Sequence, residues 1–383
     1  AAGRLAEMLA VGKVPAAVRE RLPREPRTLH RLLGYNPAKQ SIRHDAATPL
    51  PFDLIVVDEA SMVDLGLMAR LVAALAPGAR LVLIGDRNQL ASVEAGAVLG
   101  DICLAASGFP TPVAERLEEI LGAPVPRAQG AVSPLSASIA LLKHNYRFGE
   151  QGIGRLANAV VTGDAETALH LLHTDTAQLT WHPVADERRL AHELARVAET
   201  HFKPALNAAS ASAALTRLNR FRLLAAERKG TFGAEGLNAR VETLLGVPAG
   251  DTWYRGRPVL ITENDYELGL FNGDFGLAWP AEDGRLMVWV AGTGGALRAV
   301  SPARLPAHET CYALTVHKAQ GSEFDRIALV LPPRESAVAT RELLYTAVTR
   351  ARKDVELWAE ETALRTAIAR RIHRASGLAA RLA

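Results

Sequence analysis

Two short apolar runs, each closed by an acid, constrain the fold of this chain more than any other stretch of its 383 residues. Leu54-Ile55-Val56-Val57 stops at Asp58-Glu59-Ala60-Ser61, and Leu81-Val82-Leu83-Ile84 stops at Gly85-Asp86. Apolar, largely β-branched runs that end so abruptly read as buried parallel strands whose carboxyl ends open into loops. Between them, residues 62–75 carry helical apolar spacing, which Pro77-Gly78 ends. Strand, helix and strand at this spacing form a βαβ unit, so the chain is expected to be an α/β protein built on parallel sheets.

Chemistry in such sheets gathers at the carboxyl ends of the strands. One acid there can hold a hydrated magnesium ion while its neighbour orients or deprotonates a water that attacks a phosphate. Asp58 and Glu59 suit that pair of roles, and they also suit a merely solvated acidic turn. Gln89, three residues past Asp86, lies in the loop after the second strand. A neutral amide there can hold a water and a γ-phosphate oxygen together, although alone it is an ordinary loop amide.

Two arginines stand out further along. Arg147 follows Asn145-Tyr146 at the end of a stretch read as helical from about Ser138, a position usually given over to solvated surface. Residues 341–352 read as one helix with Leu343, Leu344, Ala347, Val348 and Ala351 on one face and Arg350 at its edge. A guanidinium beside an apolar face calls for an anion such as phosphate. Between two strand-like runs, Thr315-Val316-His317-Lys318-Ala319-Gln320-Gly321-Ser322-Glu323-Phe324 is dense in hydrogen-bonding side chains. That suits a loop touching both a nucleic-acid backbone and a nucleotide, or a plain polar connector.

The texture of the chain divides it. Residues 105–137 read as a connector with a short helix near 115–121, and a second α/β region starts near Ser138. Residues 253–300 change to short β-like runs at 258–262, 275–279 and 286–290, with Asn272-Gly273 and Asp283-Gly284 as turns. The α/β texture returns at 311–316 and 327–331, with a closing helix from Thr340. A hydrophobic share of 49% with 22% charged residues leaves enough apolar material for two or three cores. The formal charge of +3 gives no global electrostatic case for nucleic acid. Cys103 and Cys311 are isolated, which argues against a disulfide framework or structural zinc and for a reducing, cytoplasmic setting. No apolar run approaches the ~20 residues needed to span a bilayer. The opening AAGRLAEMLA reads as the middle of a helix, hence as a fragment.

In this order, DEAS after LIVV, GDRNQL, NYRF, TVHKAQGSEF and YTAVTRA resemble motifs II to VI of superfamily 1 DNA helicases. TLHRLLG at 28–34, GDRNQLASVEAGAVLGDIC at 85–103, FGAEGLN at 232–238 and LGLFNGDFG at 268–276 narrow the resemblance to the RecD family, over nearly the whole chain. That resemblance implies two RecA-like P-loop NTPase domains, at 1–135 and at 136–240 with 301–383, and an SH3-like insert at 241–300. It implies a 5′-to-3′ motor driven by ATP and Mg2+ on single-stranded DNA, working with RecB and RecC subunits in double-strand-break repair. Carried over by motif, Asp58 binds the metal, Glu59 serves the water, Gln89 senses the γ-phosphate, and Arg147 and Arg350 reach it from the second domain. Gln320 and Glu323 fall to the nucleotide, and Thr28, His30, Thr315 and His317 to DNA. No G-x-x-x-x-G-K-S/T run occurs in the sequence, so the phosphate cradle is expected upstream of Ala1 and this stretch alone is expected to be inactive. The other reading is a non-catalytic assembly or DNA-guiding part of the same complex.

Overall fold

The computed structural model describes residues 27–36, 39–92, 96–104, 108–128, 133–142, 152–174, 177–248, 250, 252–292, 296–372 and 377–382. They form two compact units, one of residues up to 142 with 377–382 and one of residues 152–372. The expectations for AAGRLAEMLA and for Asn145 to Phe148 lie outside the described residues.

In the first unit, β1 (Leu54–Val57) and β2 (Arg80–Leu83) are parallel neighbours, with Leu54 opposite Arg80 and Val57 opposite Leu83. The connecting helix is Leu65–Ala73, shorter than the expected 62–75 because Asp64 caps it, its carboxylate accepting from the Leu67 amide at 2.8 Å. A 3-10 turn, Ala60–Met62, fills the gap before it. Ile55 and Val57 face a core of Met68, Leu71, Val98 and Leu99. Burial on both faces is not observed: Leu54 and Val56 are 54% and 46% exposed. Side chains alternate across a strand, and the described residues cover one face only. The connector also holds more structure than expected, with an eleven-residue helix at Thr111–Leu121.

The helix expected from Ser138 is absent over 139–142. Pro134–Ser138 is instead a 3-10 turn, opened by Ser133, whose hydroxyl accepts from the Leu135 amide.

Ten strands follow in the second unit: β3 (Leu179–His182), β4 (Phe221–Ala225), β5 (Pro258–Ile261), β6 (Phe275–Pro280), β7 (Leu286–Ala291), β8 (Leu297–Val300), β9 (His308–Thr310), β10 (Ala313–Thr315), β11 (Phe324–Val330) and β12 (Ala351–Trp358). Five make a parallel sheet in the order β10-β4-β11-β12-β3. Its middle is buried on both faces, every residue of β4 included, as parallel sheets require. The helix Glu187–Val197 passes into a π-helical turn, Ala198–Phe202, and there the His201 ring stacks on Phe221 at 4.0 Å between centroids.

The other five strands form an antiparallel sheet in the order β8-β7-β6-β5-β9. Asn272-Gly273 and Asp283-Gly284 do make turns, with Gly273 at φ 94° and Gly284 at φ 79°, values that only glycine adopts without strain. Val259, Ile261, Ala278, Val288 and Val290 build this sheet's own core. The sheet lies in the chain between β4 and β10, which pair directly with each other.

The single helix expected over 341–352 is corrected. It runs Arg341–Val348 and stops where the Thr349 hydroxyl donates to the carbonyls of Tyr345 at 2.9 Å and Thr346 at 3.1 Å. Ala351 already belongs to β12, so Arg350 sits in a tight turn between helix and strand and not on a helix face.

Candidate functional site

Parallel pairing of β1 with β2 delivers two loops to one sheet edge. The Ile84 amide donates to the Val57 carbonyl at 2.8 Å, and the Ala60 amide donates to the Ile84 carbonyl at 2.9 Å. Gly85 makes this approach possible, because a Cβ there would lie 3.1 Å from the backbone nitrogens of both Ala60 and Ser61 and 2.7 Å from a Leu99 methyl.

Asp58 is exposed at the end of β1, and one of its oxygens accepts from the Glu59 amide at 2.9 Å. Glu59 takes a left-handed backbone, φ 52° and ψ 40°, which bulky residues avoid and which turns the chain sharply out of the strand. Strain of this kind persists where surrounding structure imposes it, commonly at functional sites. Behind the pair, the Ser61 hydroxyl is buried and has no hydrogen-bond partner among the described residues. In the neighbouring loop Asp86 accepts from the Asn88 amide at 2.9 Å and from the Gln89 side-chain amide at 3.4 Å. The structure therefore brings the Asp58-Glu59 and Gly85–Gln89 loops together while Gln89 leans on Asp86.

Among the described residues no group of three or more His, Cys, Asp or Glu side chains could hold a metal ion. The donor set at the β1 end nevertheless suits magnesium, which takes one or two carboxylates and draws its remaining oxygens from water and phosphate.

Arg350, at 3% exposure, is held by two carbonyls: its Nε donates to Thr346 at 3.1 Å and its Nη1 to Ser322 at 3.3 Å. Glu323 is paired with Arg352 at 3.0 Å, and Phe324 donates its amide to the Arg350 carbonyl at 2.9 Å. The 315–324 loop is braced locally, with the Lys318 amide donating to the Thr315 hydroxyl and the Lys318 ammonium bound to Glu309 at 2.5 Å. Gln320 and His317 lie within it, half-buried, the Gln320 amide donating to the His317 carbonyl at 3.3 Å.

Thr28 and His30 are exposed in the first unit. The Thr28 hydroxyl caps the four-residue helix Leu29–Leu32, and the His30 ring meets Tyr35 edge-on at 5.6 Å. Arg147 lies outside the described residues. Sequence reasoning named Gly85 and Ser61 without seeing the close approach at the first or the buried hydroxyl of the second, and it gave Arg352 no role. A glycine between a strand and its terminal acid was a readable signal for the first, and nothing local pointed to the other two.

Against known proteins, an AAA domain family matches residues 2–95 and a UvrD-like helicase C-terminal domain family matches residues 310–357. The RecBCD enzyme subunit RecD of Mycobacterium tuberculosis is 41% identical over 392 residues, covering 100% of this chain and 63% of the relative. The ATP-dependent RecD2 DNA helicase of Deinococcus radiodurans is 33% identical over 347 residues, covering 89% of this chain and 41% of that protein. Among solved structures, a Bacteroides Pif1 helicase bound to ADP-AlF3 and ssDNA gives a TM-score of 0.46 at 16% identity, covering 91% of this chain and 81% of its own. Sheet-end acids, ordered motifs and family matches together define a superfamily 1 helicase core. Within that class, the chain belongs to the RecD family. It spans less than two thirds of the length of that mycobacterial relative.

Proposed function

We propose that this chain is the core of a 5′-to-3′ ATP-dependent DNA helicase that moves on single-stranded DNA. In this reading it works with RecB- and RecC-type subunits in double-strand-break repair, in the cytoplasm. The observation that carries the reading is the pair Asp58-Glu59 at the carboxyl edge of a parallel sheet, beside the Gly85–Gln89 loop. Family membership supports the reading, and the RecD2 relative bears the name of an ATP-dependent DNA helicase.

Asp58 is assigned to Mg2+, Glu59 to orienting the attacking water and Gln89 to the γ-phosphate. In the second unit Arg350, Gln320 and Glu323 are assigned to nucleotide contacts and Thr315 and His317 to DNA, joined by Thr28 and His30 from the first; Arg147 keeps its motif-based assignment as a phosphate ligand. Bound Mg2+ supplies charge neutralisation at the transferring phosphate. Glu59, held in its strained turn, supplies a fixed acceptor for the proton of a water. The antiparallel sheet is read as the family's SH3-like module. Without a G-x-x-x-x-G-K-S/T run, these 383 residues alone are proposed to turn over no ATP.

Glu59→Gln in the full-length protein tests the assignment. DNA-stimulated turnover should fall by about 100-fold or more, the scale of general acid-base catalysis, with nucleotide binding retained. Turnover at the parental rate removes Glu59 from the water. A full-length protein without any DNA-stimulated turnover would overturn the motor reading in favour of the second one, an assembly or DNA-guiding part of the same complex.

A further inference from the structure

One charge in the second unit is left unused by this chemistry. Arg222, the second residue of β4, is 1% exposed, and among the described residues no carboxylate pairs with it. Its Nη1 donates to the Cys311 carbonyl, and among the described residues its Nε has no partner. The guanidinium lies between two rings, 4.6 Å from the Phe275 centroid and 5.0 Å from that of Phe324. The adjacent Cys311 thiol gives no counter-charge, because burial pushes it up to about 12. A lone cation taken out of water is costly, and two aromatic faces with one carbonyl offset only part of that cost. Packing alone would be served as well by an apolar side chain of similar length.

What the guanidinium does is join three elements. Phe275 opens β6 of the antiparallel sheet, Cys311 links β9 to β10, and Phe324 opens β11 where the 315–324 loop ends. Phe324 in turn donates its amide to the Arg350 carbonyl at 2.9 Å, while Arg350 reaches back to Ser322 in the same loop. We propose that Arg222 is a positioning residue: by clamping Phe324 against Phe275 it ties the antiparallel sheet to the loop and turn that aim Arg350. The proposal rests on reading Arg350 as a nucleotide contact. Loss of the clamp leaves Arg350 misaimed at the phosphate on which charge develops during transfer.

The test uses the full-length protein with single-stranded DNA. Arg222→Met should keep the parental melting midpoint or exceed it. It should lower kcat by about tenfold, within the range that small misplacements cost, and speed hydrogen exchange at the Phe324 amide. Phe275→Leu should lower kcat in the same direction, and the double variant should be no slower than Arg222→Met, since both remove one clamp. Parental kcat or unchanged exchange in Arg222→Met overturns the proposal, as do losses that multiply in the double variant or that merely follow a lost folded fraction. If the parent itself shows no DNA-stimulated turnover, the helicase reading falls and this proposal falls with it; turnover that Arg222→Met leaves intact defeats the proposal alone.

Discussion

At the end of β1 the candidate side chains stand largely in water: Asp58 is exposed, Glu59 is half-buried, and the exposed face of their own strand carries Leu54 and Val56. At the start of β12 the reverse holds, for Arg350 is buried on two carbonyls and Glu323 is locked to Arg352. An exposed carboxylate costs nothing to hydrate and can meet a hard cation, whereas a buried guanidinium must be fixed by carbonyls before any ligand arrives. Among the described residues, the first sheet leaves its candidate side chains open, and the second fixes its candidates in the core.

The widest gap should appear in stability. Leu223→Ala, at a fully buried position of β4, is expected to cost about 2–5 kcal/mol in denaturant unfolding, against about 0.5 kcal/mol or less for Leu54→Ala. Equal costs would mean that the β1 face is covered after all. Activity should sharpen the contrast next. Both Asp58→Asn and Arg350→Ala should slow turnover by about tenfold or more. Only Arg350→Ala should also lower the melting midpoint, because it strips donors from the Thr346 and Ser322 carbonyls, and its loss of turnover should exceed its loss of DNA binding. Equal loss of turnover and DNA binding would make Arg350 structural.

The smallest effect concerns acid. Burial holds His201 down to about 4, with Glu356 opposing the shift and Arg326 and Arg196 adding to it. Its folded value lies below the ordinary 6.5, so the unfolded chain takes up the proton first. The stability this neutral ring contributes is complete above about 6.5 and is lost progressively as pH falls toward 4. Replacing it by Phe, which keeps the stack on Phe221, should flatten the fall in melting midpoint over that window; an unchanged slope would place the acid sensitivity elsewhere.

What could be read from sequence was what local chemistry decides. The acid-closed runs became β1 and β2 because β-branched residues and a Gly-Asp end need no distant partner to declare themselves. Asn272-Gly273 and Asp283-Gly284 were legible for the same reason. β12 was not, because Ala351-Arg352-Lys353-Asp354 is too polar for a strand core, and the apolar spacing of the preceding helix runs straight through Thr349 and Arg350. The helix nonetheless ends at Val348, where the Arg350 amide donates to the Ala347 carbonyl and the Arg350 Nε donates to the Thr346 carbonyl, a turn that local spacing does not announce. Arg222 was hidden more completely. An arginine within Phe221-Arg222-Leu223-Leu224 reads as one solvent-facing position, and the rings that enclose it arrive from two other strands.

In the antiparallel sheet the strands that come first and last along the chain, β5 and β9, are direct partners, with Val259 opposite Thr310. An insertion whose entry and exit lie side by side presents the host with little more than a short splice. Once it has collapsed, the search that brings β10 beside β4 proceeds as though most of the intervening chain were missing. Loop-closure entropy and contact order for the host sheet then take the values of a smaller protein.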